Sequence, residues 1–268
     1  MLGLFKMINQ YNDTEVEKIR ESSLLVSKTL AEIAKHIKPG VKTIELDKLA
    51  EQFIRDHGAT PEFKGYRGFQ NTLCIAVNDE VIHGIPGDLE LKDGDIVSID
   101  CGVRKNGFVG DSAYTFPVGN VSEEAKRLMK ITKECLELGI AEAFAGNRVG
   151  DIGFAIQQHA EKNGYSVVRE FCGHGVGKKL HEKPDVMNFG RRGHGKQLKN
   201  GTGIAIEPMI NQGLNSVTLD NDNWTVRTAD GKLSAHYEHT VVARQGKAEI
   251  LSSFEEIEKQ LGVMGYKL

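Results

Sequence analysis

Asp100 and Asp111 are carboxylates set into strand-forming sequence, Ile96-Val97-Ser98-Ile99-Asp100 and Phe108-Val109-Gly110-Asp111. Like charges on a buried sheet face repel each other and are costly to desolvate unless a cation or a proton joins them. A metal is the obvious cation. Lys105-Asn106-Gly107 between the two runs is a hairpin signal, and a hairpin centred there sets the two acids roughly opposite one another. A three-residue loop with a bulge would shift that register by about one residue. Glu207 follows a second apolar run, Gly203-Ile-Ala-Ile206, and Glu238 stands in Leu233 to Ala243, read as one closing strand with Glu238, His236 and Thr240 on one face. His174 sits in the turn Cys172-Gly-His-Gly-Val-Gly177, whose glycines are expected to let backbone approach a ligand closely. Singly, each of these could be a surface charge or a salt-bridged core acid. Together, four acids and one imidazole make a dinuclear site whose oxygen-rich ligation suits Mn²⁺, Fe²⁺, Co²⁺ or Zn²⁺. A metal pair activates water and polarises a carbonyl, so hydrolysis is the natural chemistry.

The elements that must carry these residues occur twice. Leu198-Lys-Asn-Gly-Thr-Gly-Ile-Ala-Ile-Glu207 matches Leu91-Lys-Asp-Gly-Asp-Ile-Val-Ser-Ile-Asp100 at a constant offset of 107, with the acid kept at the end of each. Each phrase is preceded by two helices. In the first half, Asp13 to Glu17 offers a capping box and Ile19, Leu24, Leu25, Leu30, Ile33 and Ile37 make a helical stripe up to Pro39-Gly40. A second helix from Thr43 turns Ile44, Leu46, Leu49, Ala50, Phe53 and Ile54 inward and stops at Gly58. In the second half, Ser122-Glu-Glu-Ala caps a helix through Leu128, Ile131, Cys135 and Leu138, and Val149 opens another that ends at Asn163-Gly164. The expectation is a duplicated α+β chain, one catalytic domain over 1–268 built from halves at about 13–118 and 119–252, with the acids meeting at the pseudo-symmetry axis. Asn71 to Val77 and Val81 to Ile85 read as short strands, Asn221 to Gly231 as a hairpin, and Ser253 to Lys259 as a short helix.

Length and composition exclude several classes. At 268 residues and 40 % apolar, the chain can bury a large core. A net charge of -3 with interspersed Lys and Arg gives no basic footprint for nucleic acid, and nothing resembles a polybasic membrane anchor. The apolar run at the amino terminus is too short for a signal segment, and no later run approaches ~18 uncharged apolar residues. Cys74, Cys101, Cys135 and Cys172 contain no Cys-x-x-Cys pair, which fits a reducing cytoplasm. Gly173-x-Gly175-x-Gly177 lacks the spacing of a dinucleotide fingerprint, and His181-Glu182 lacks the second histidine of a zincin helix. His194 is expected to face solvent.

The strings Asn78-Asp-Glu-Val-Ile-His83-Gly-Ile-Pro86, Asp100 with Asp111, Cys172-Gly-His174-Gly-Val-Gly177 with His181, Ile206-Glu207-Pro-Met209 and Ser234-Ala-His-Tyr-Glu238-His239-Thr resemble a type I methionine aminopeptidase of bacterial form, from about residue 13 to 252. The resemblance implies a pita-bread fold and two divalent ions, Co, Mn, Fe(II) or Zn. It implies Asp111 and Glu238 as bridging carboxylates, Asp100 on one metal, and His174 with Glu207 on the other. Glu207 would also shuttle the proton of the attacking water, and His83 and His181 would hydrogen-bond the peptide and its developing oxyanion. Tyr66, Phe69, Cys74 and Trp224 would form the methionine pocket, an apolar cup suited to a thioether. The implied substrate is a peptide or nascent polypeptide with an amino-terminal Met, preferably followed by a small residue, and work on nascent chains implies transient association with the ribosome; a cytoplasmic monomer is expected. Leu180 and Arg67 depart from bacterial relatives, which carry an aromatic and commonly a His there. The rival readings are a proline-specific peptidase of the same fold and a catalytically silent pita-bread binding protein.

Overall fold

The computed structural model describes residues 8–266, so the run from Met1 to Met7, where no signal segment is expected, lies outside them. Helix α1 (Asp13–Ala34) starts at a capping box formed by Asn12 and Glu15, two residues before the Thr14–Glu17 pair within the expected stretch. It ends at Ala34, short of Pro39. Helix α2 (Thr43–Asp56) is followed by Gly58 in a left-handed conformation. Strands β1 (Leu73–Val77), β2 (Glu80–Ile82), β3 (Ile96–Lys105) and β4 (Phe108–Pro117) come next. The second half repeats the opening with α3 (Glu123–Ala141), capped by Ser122, and α4 (Val149–Lys162). Its main strands are β5 (Gly173–Gly175), β6 (Gly203–Ile206), β7 (Met209–Asn211), β8 (Val226–Thr228), β9 (Ser234–His236) and β10 (His239–Ala243). A last helix, α5 (Glu255–Val263), closes the described chain. No helix among the described residues is long and apolar enough to cross a membrane.

The helical stripes bury as expected except at Ile44 and Phe53, which are half-buried, and at Leu24, Leu49 and Leu138, which are exposed. Leu24 and Leu49 each precede a residue that occupies the stripe, Leu25 and Ala50, and a step of one residue turns a helix by about 100° off the buried face. Four serines and threonines on α1 are also buried, each donating its hydroxyl to the carbonyl four residues back. Ser22 shares its single hydroxyl proton between that carbonyl and the closer Phe108 carbonyl at 3.0 Å, so the helix is pinned to the hairpin beneath it. Gly110 allows that approach, because a side chain there would meet the Ser23 backbone at 2.3 Å.

The hairpin turns on two residues, Asn106 and Gly107, both left-handed. This is the tight turn whose twist suits paired strands. It sets the register Asp100 to Ala113 and Gly102 to Asp111, so the two acids are diagonal neighbours on one face rather than directly opposite. β3 also pairs with β1, placing Cys74 opposite Asp100. In the second half β6 pairs with β10 and β5. The expected single strand from Leu233 to Ala243 is broken: β9 pairs with β7, β10 pairs with β6, and Tyr237-Glu238 make the crossing. The two sheets meet at that crossing. The Glu238 N–H donates to the Ala113 carbonyl, the Asp111 N–H to Thr240 Oγ1, and the Ser112 hydroxyl to the Glu238 carbonyl at 2.6 Å. The expected hairpin over 221–231 is instead formed by Val217–Leu219 with β8, the intervening loop carrying Trp224.

Candidate active site

β3, β4 and the β9–β10 crossing aim Asp100, Asp111 and Glu238 at one point, and β5 with the end of β6 brings His174 and Glu207 to it from the other half. Asp111, His174 and Glu238 each place a ligating atom within 4.8 Å of the others. Glu207 flanks them, with Oε1 3.6 Å from His174 Nε2, while Asp111 Oδ2 lies 3.7 Å from the same nitrogen. His174 Nδ1 faces the Gly175 carbonyl at 3.1 Å. That contact suits a proton on Nδ1 and leaves the Nε2 lone pair turned to the acids, the arrangement a metal-ligating histidine requires.

The electrostatics call for a cation. Burial pushes the Asp100 carboxyl up from 3.8 to about 7, against the pull of the Cys101 N–H and the contact with Asp111. Asp111, Glu207 and Glu238 are held well above the usual carboxylate range, first by burial and then by the neighbouring carboxylates. His174 is lowered to about 3 and His83 to about 4, in both cases by burial first and His181 second. Asp100 Oδ1, Asp111 Oδ1 and Glu238 Oε1 are buried and have no hydrogen-bond partner among the described residues. Orphaned oxygens of this kind are expensive in a folded protein. Divalent ions satisfy all of these observations, so the residues present fit the metal.

Every residue expected from the sequence to ligate metal, act in catalysis or form the methionine pocket lines one cavity of about 160 Å³. A cavity of ~150 Å³ is enough to admit a benzene ring. Phe69 and Trp224 meet edge to face at 5.0 Å along its apolar wall, beside Cys74 and the half-buried Tyr66. His83, at a left-handed φ of 60°, packs its ring against Phe171 at 5.6 Å. Gly84 makes this possible by docking on the Ile75 carbonyl, where a side chain would collide at 2.1 Å. A left-handed non-glycine residue costs of order 1 kcal/mol and is commonest where function needs it. His181 stands at the mouth, stacked on Tyr66 at 5.3 Å and 4.2 Å from the His174 ring. His194 is exposed, as expected.

The glycines around His174 do something other than expected. Side chains at Gly173 and Gly175 would strike the Ala205 and Lys183 carbonyls at 2.3 and 2.5 Å, so these glycines admit neighbouring strands rather than a ligand. Phe63 and Phe171 also line the cavity without having been anticipated, since an aromatic in a loop carries no periodic signal, and Ile82 joins them from the end of β2. His236 is buried with Nε2 3.8 Å from Glu207 Oε2 and no hydrogen-bond partner on that nitrogen among the described residues. Its position two residues before Glu238 was the signal available for it.

Comparison with known proteins agrees with this geometry. The model of metallopeptidase family M24 matches residues 17–245. A methionine aminopeptidase of Clostridium perfringens is 54% identical over 246 residues, which cover 92% of this chain and 99% of that one. The crystal structure of methionine aminopeptidase from Rickettsia prowazekii superposes with a TM-score of 0.91 at 42% identity, over 92% of this chain and 100% of that one. Prolidase from Pyrococcus furiosus, at 22% identity and a TM-score of 0.75 over 91% of this chain and 65% of that one, shares the fold alone. The architecture is the pita-bread fold, and the chain belongs to metallopeptidase family M24, within its methionine aminopeptidases.

Proposed function

We propose that this enzyme is a metallo-aminopeptidase that hydrolyses the first peptide bond of chains beginning with methionine, preferring a small second residue. The observation that carries the reading is the confluence of the buried acids, His174 and the Phe69–Trp224 wall in one cavity, in a chain 54% identical to a methionine aminopeptidase over 99% of that relative. Two divalent ions drawn from Mn²⁺, Fe²⁺, Co²⁺ and Zn²⁺ would be held by Asp100, Asp111, His174, Glu207 and Glu238. Bound there, the ions supply Lewis acidity that lowers the pKa of water and polarises the carbonyl.

The protein's own residues do the rest. Tyr66, Phe69, Cys74 and Trp224 take the methionine side chain, and the sulfur gains from the polarisable aromatic wall. His83 and His181 hydrogen-bond the peptide and the developing oxyanion, for which burial of His83 keeps its imidazole neutral. Glu207 takes the proton of the attacking water and passes it to the leaving amine. In this reading the two halves, about 13–118 and 119–252, form a single catalytic domain. Four cysteines without disulfides support a cytoplasmic setting, where nascent chains are the substrate.

Release of free methionine from Met-Ala-Ser and Met-Leu-Ser tests the reading, using metal-stripped protein with each ion restored in turn and a Glu207→Ala control. Metal-dependent release from the Ala peptide, reduced at least ~100-fold in the control, is expected. Folded protein that binds the ions and releases nothing would favour a silent peptide-binding protein.

A further inference from the structure

Arg67 is the only arginine or lysine that lines the cavity among the described residues. It sits at φ 49°, ψ 24° in the short turn Tyr66–Gly68, with Gly65 and Gly68 on either side also left-handed. A left-handed arginine is uncommon, and here the backbone turn presents the side chain at the mouth. Its guanidinium lies 5.4 Å from the Tyr66 ring centroid. Tyr66 in turn stacks on His181, and His181 lies against His174. The result is a ladder of planar groups running from solvent to the buried acids, with a cation on its outermost rung. Arg67 is exposed and makes no ion pair or hydrogen bond with any described residue. Its charge is therefore available to a ligand, and its fork of N–H donors matches a carboxylate.

This bears on the aminopeptidase reading and rests on it. A peptide with its first carbonyl at the acids and His181 leaves the cavity along the ladder. Each extended residue advances ~3.5 Å, so the second or third residue beyond the cleaved bond comes level with the guanidinium. We propose that Arg67 is a specificity-determining residue that favours substrates carrying Asp or Glu at those positions. A cation at the mouth also disfavours Lys or Arg there.

The test uses carboxy-terminally amidated Met-Ala-Xaa-Ser and Met-Ala-Ser-Xaa, with Xaa as Glu, Gln or Lys, so that no terminal carboxylate competes. In low salt kcat/KM should be roughly twofold to fivefold higher for Glu than for Gln in at least one series, with Lys lowest, as suits an exposed ion pair. The Glu-to-Gln ratio should fall toward unity at ~0.5 M salt, where screening acts within a few ångströms. It should also collapse in Arg67→Gln and invert in Arg67→Glu. Taking the ratio within each variant cancels any general loss of activity, and the salt series reads the same effect without a variant. Equal kcat/KM for Glu, Gln and Lys in both series, or an undiminished ratio in Arg67→Gln, would overturn the inference while leaving the aminopeptidase reading intact. No cleavage of any peptide would overturn both.

Discussion

Asp100→Asn should make the metal-stripped protein more stable while weakening its hold on metal. Asp100 lies on β3 across from Cys74, diagonal to Asp111, with a buried oxygen that no described residue satisfies. Its folded carboxyl ionises near 7 against 3.8 as the ordinary value. The folded state thus keeps a proton that the unfolded state has lost. Below about pH 4 the group is neutral in both states and costs nothing; as pH rises the penalty grows, and above pH 7 it is complete. The burden is on the order of 1–2 kcal/mol at pH 5 and about 4 kcal/mol at pH 8. An asparagine of the same shape removes the charge and offers Asp111 an N–H. For a chain of this size the gain at pH 8 corresponds to a rise in Tm of roughly 5–10 °C, and at pH 5 to about a third of that. Scanning calorimetry in chelator at both pH values measures it. Added Mn²⁺ should raise the Tm of the parent protein, by about 2.7 kcal/mol of stability at a hundredfold excess over Kd, and raise that of the variant far less. A metal-stripped variant less stable than its parent at pH 8, or a gain that does not grow with pH, would refute the argument that the acids are held in place for a cation.

Two further changes probe what supports the site. Gly110→Ala drives a methyl group into the Ser23 backbone, 2.3 Å from its nitrogen; helix and hairpin must part, at a cost of about 1–3 kcal/mol, and an unchanged urea midpoint would show that α1 yields freely. Arg227→Met removes the partner of Asp79, Glu80 and Asp220, bonded at 3.1, 2.6 and 2.7 Å, and strands the nearly buried Glu80 carboxylate between β2 and β8. Because the guanidinium is itself about a third exposed, a loss of about 2 kcal/mol is expected. Since β2 leads into His83 and the loop before β8 carries Trp224, KM for Met-Ala-Ser should rise more than kcat falls; a stability loss with both constants untouched would detach this network from the cavity.

The sequence by itself determined the elements and the chemistry they carry. Helical stripes, the cap at Ser122, and the Asn106-Gly107 turn are local patterns, and local patterns survive in one dimension. The repeat linking Asp100 to Glu207 is equally one-dimensional, and it told that acids from distant segments were meant to meet. Tertiary structure decided how they meet. The diagonal register of Asp100 and Asp111 depends on a two-residue turn that sequence could not distinguish from a bulged one. The break at Tyr237-Glu238 arises because β9 and β10 pair with different sheets, a choice made by strands far away in the chain. Gly173 and Gly175 looked like ligand approaches, yet the space they leave is filled by the Ala205 and Lys183 carbonyls. Phe63 and Phe171 reach the cavity, His236 comes up behind Glu207, and Arg67 tops the Tyr66–His181 ladder, for the same reason. Which side chain faces a cavity is set by long-range docking of backbones, and a sequence records that docking only through the shapes it permits.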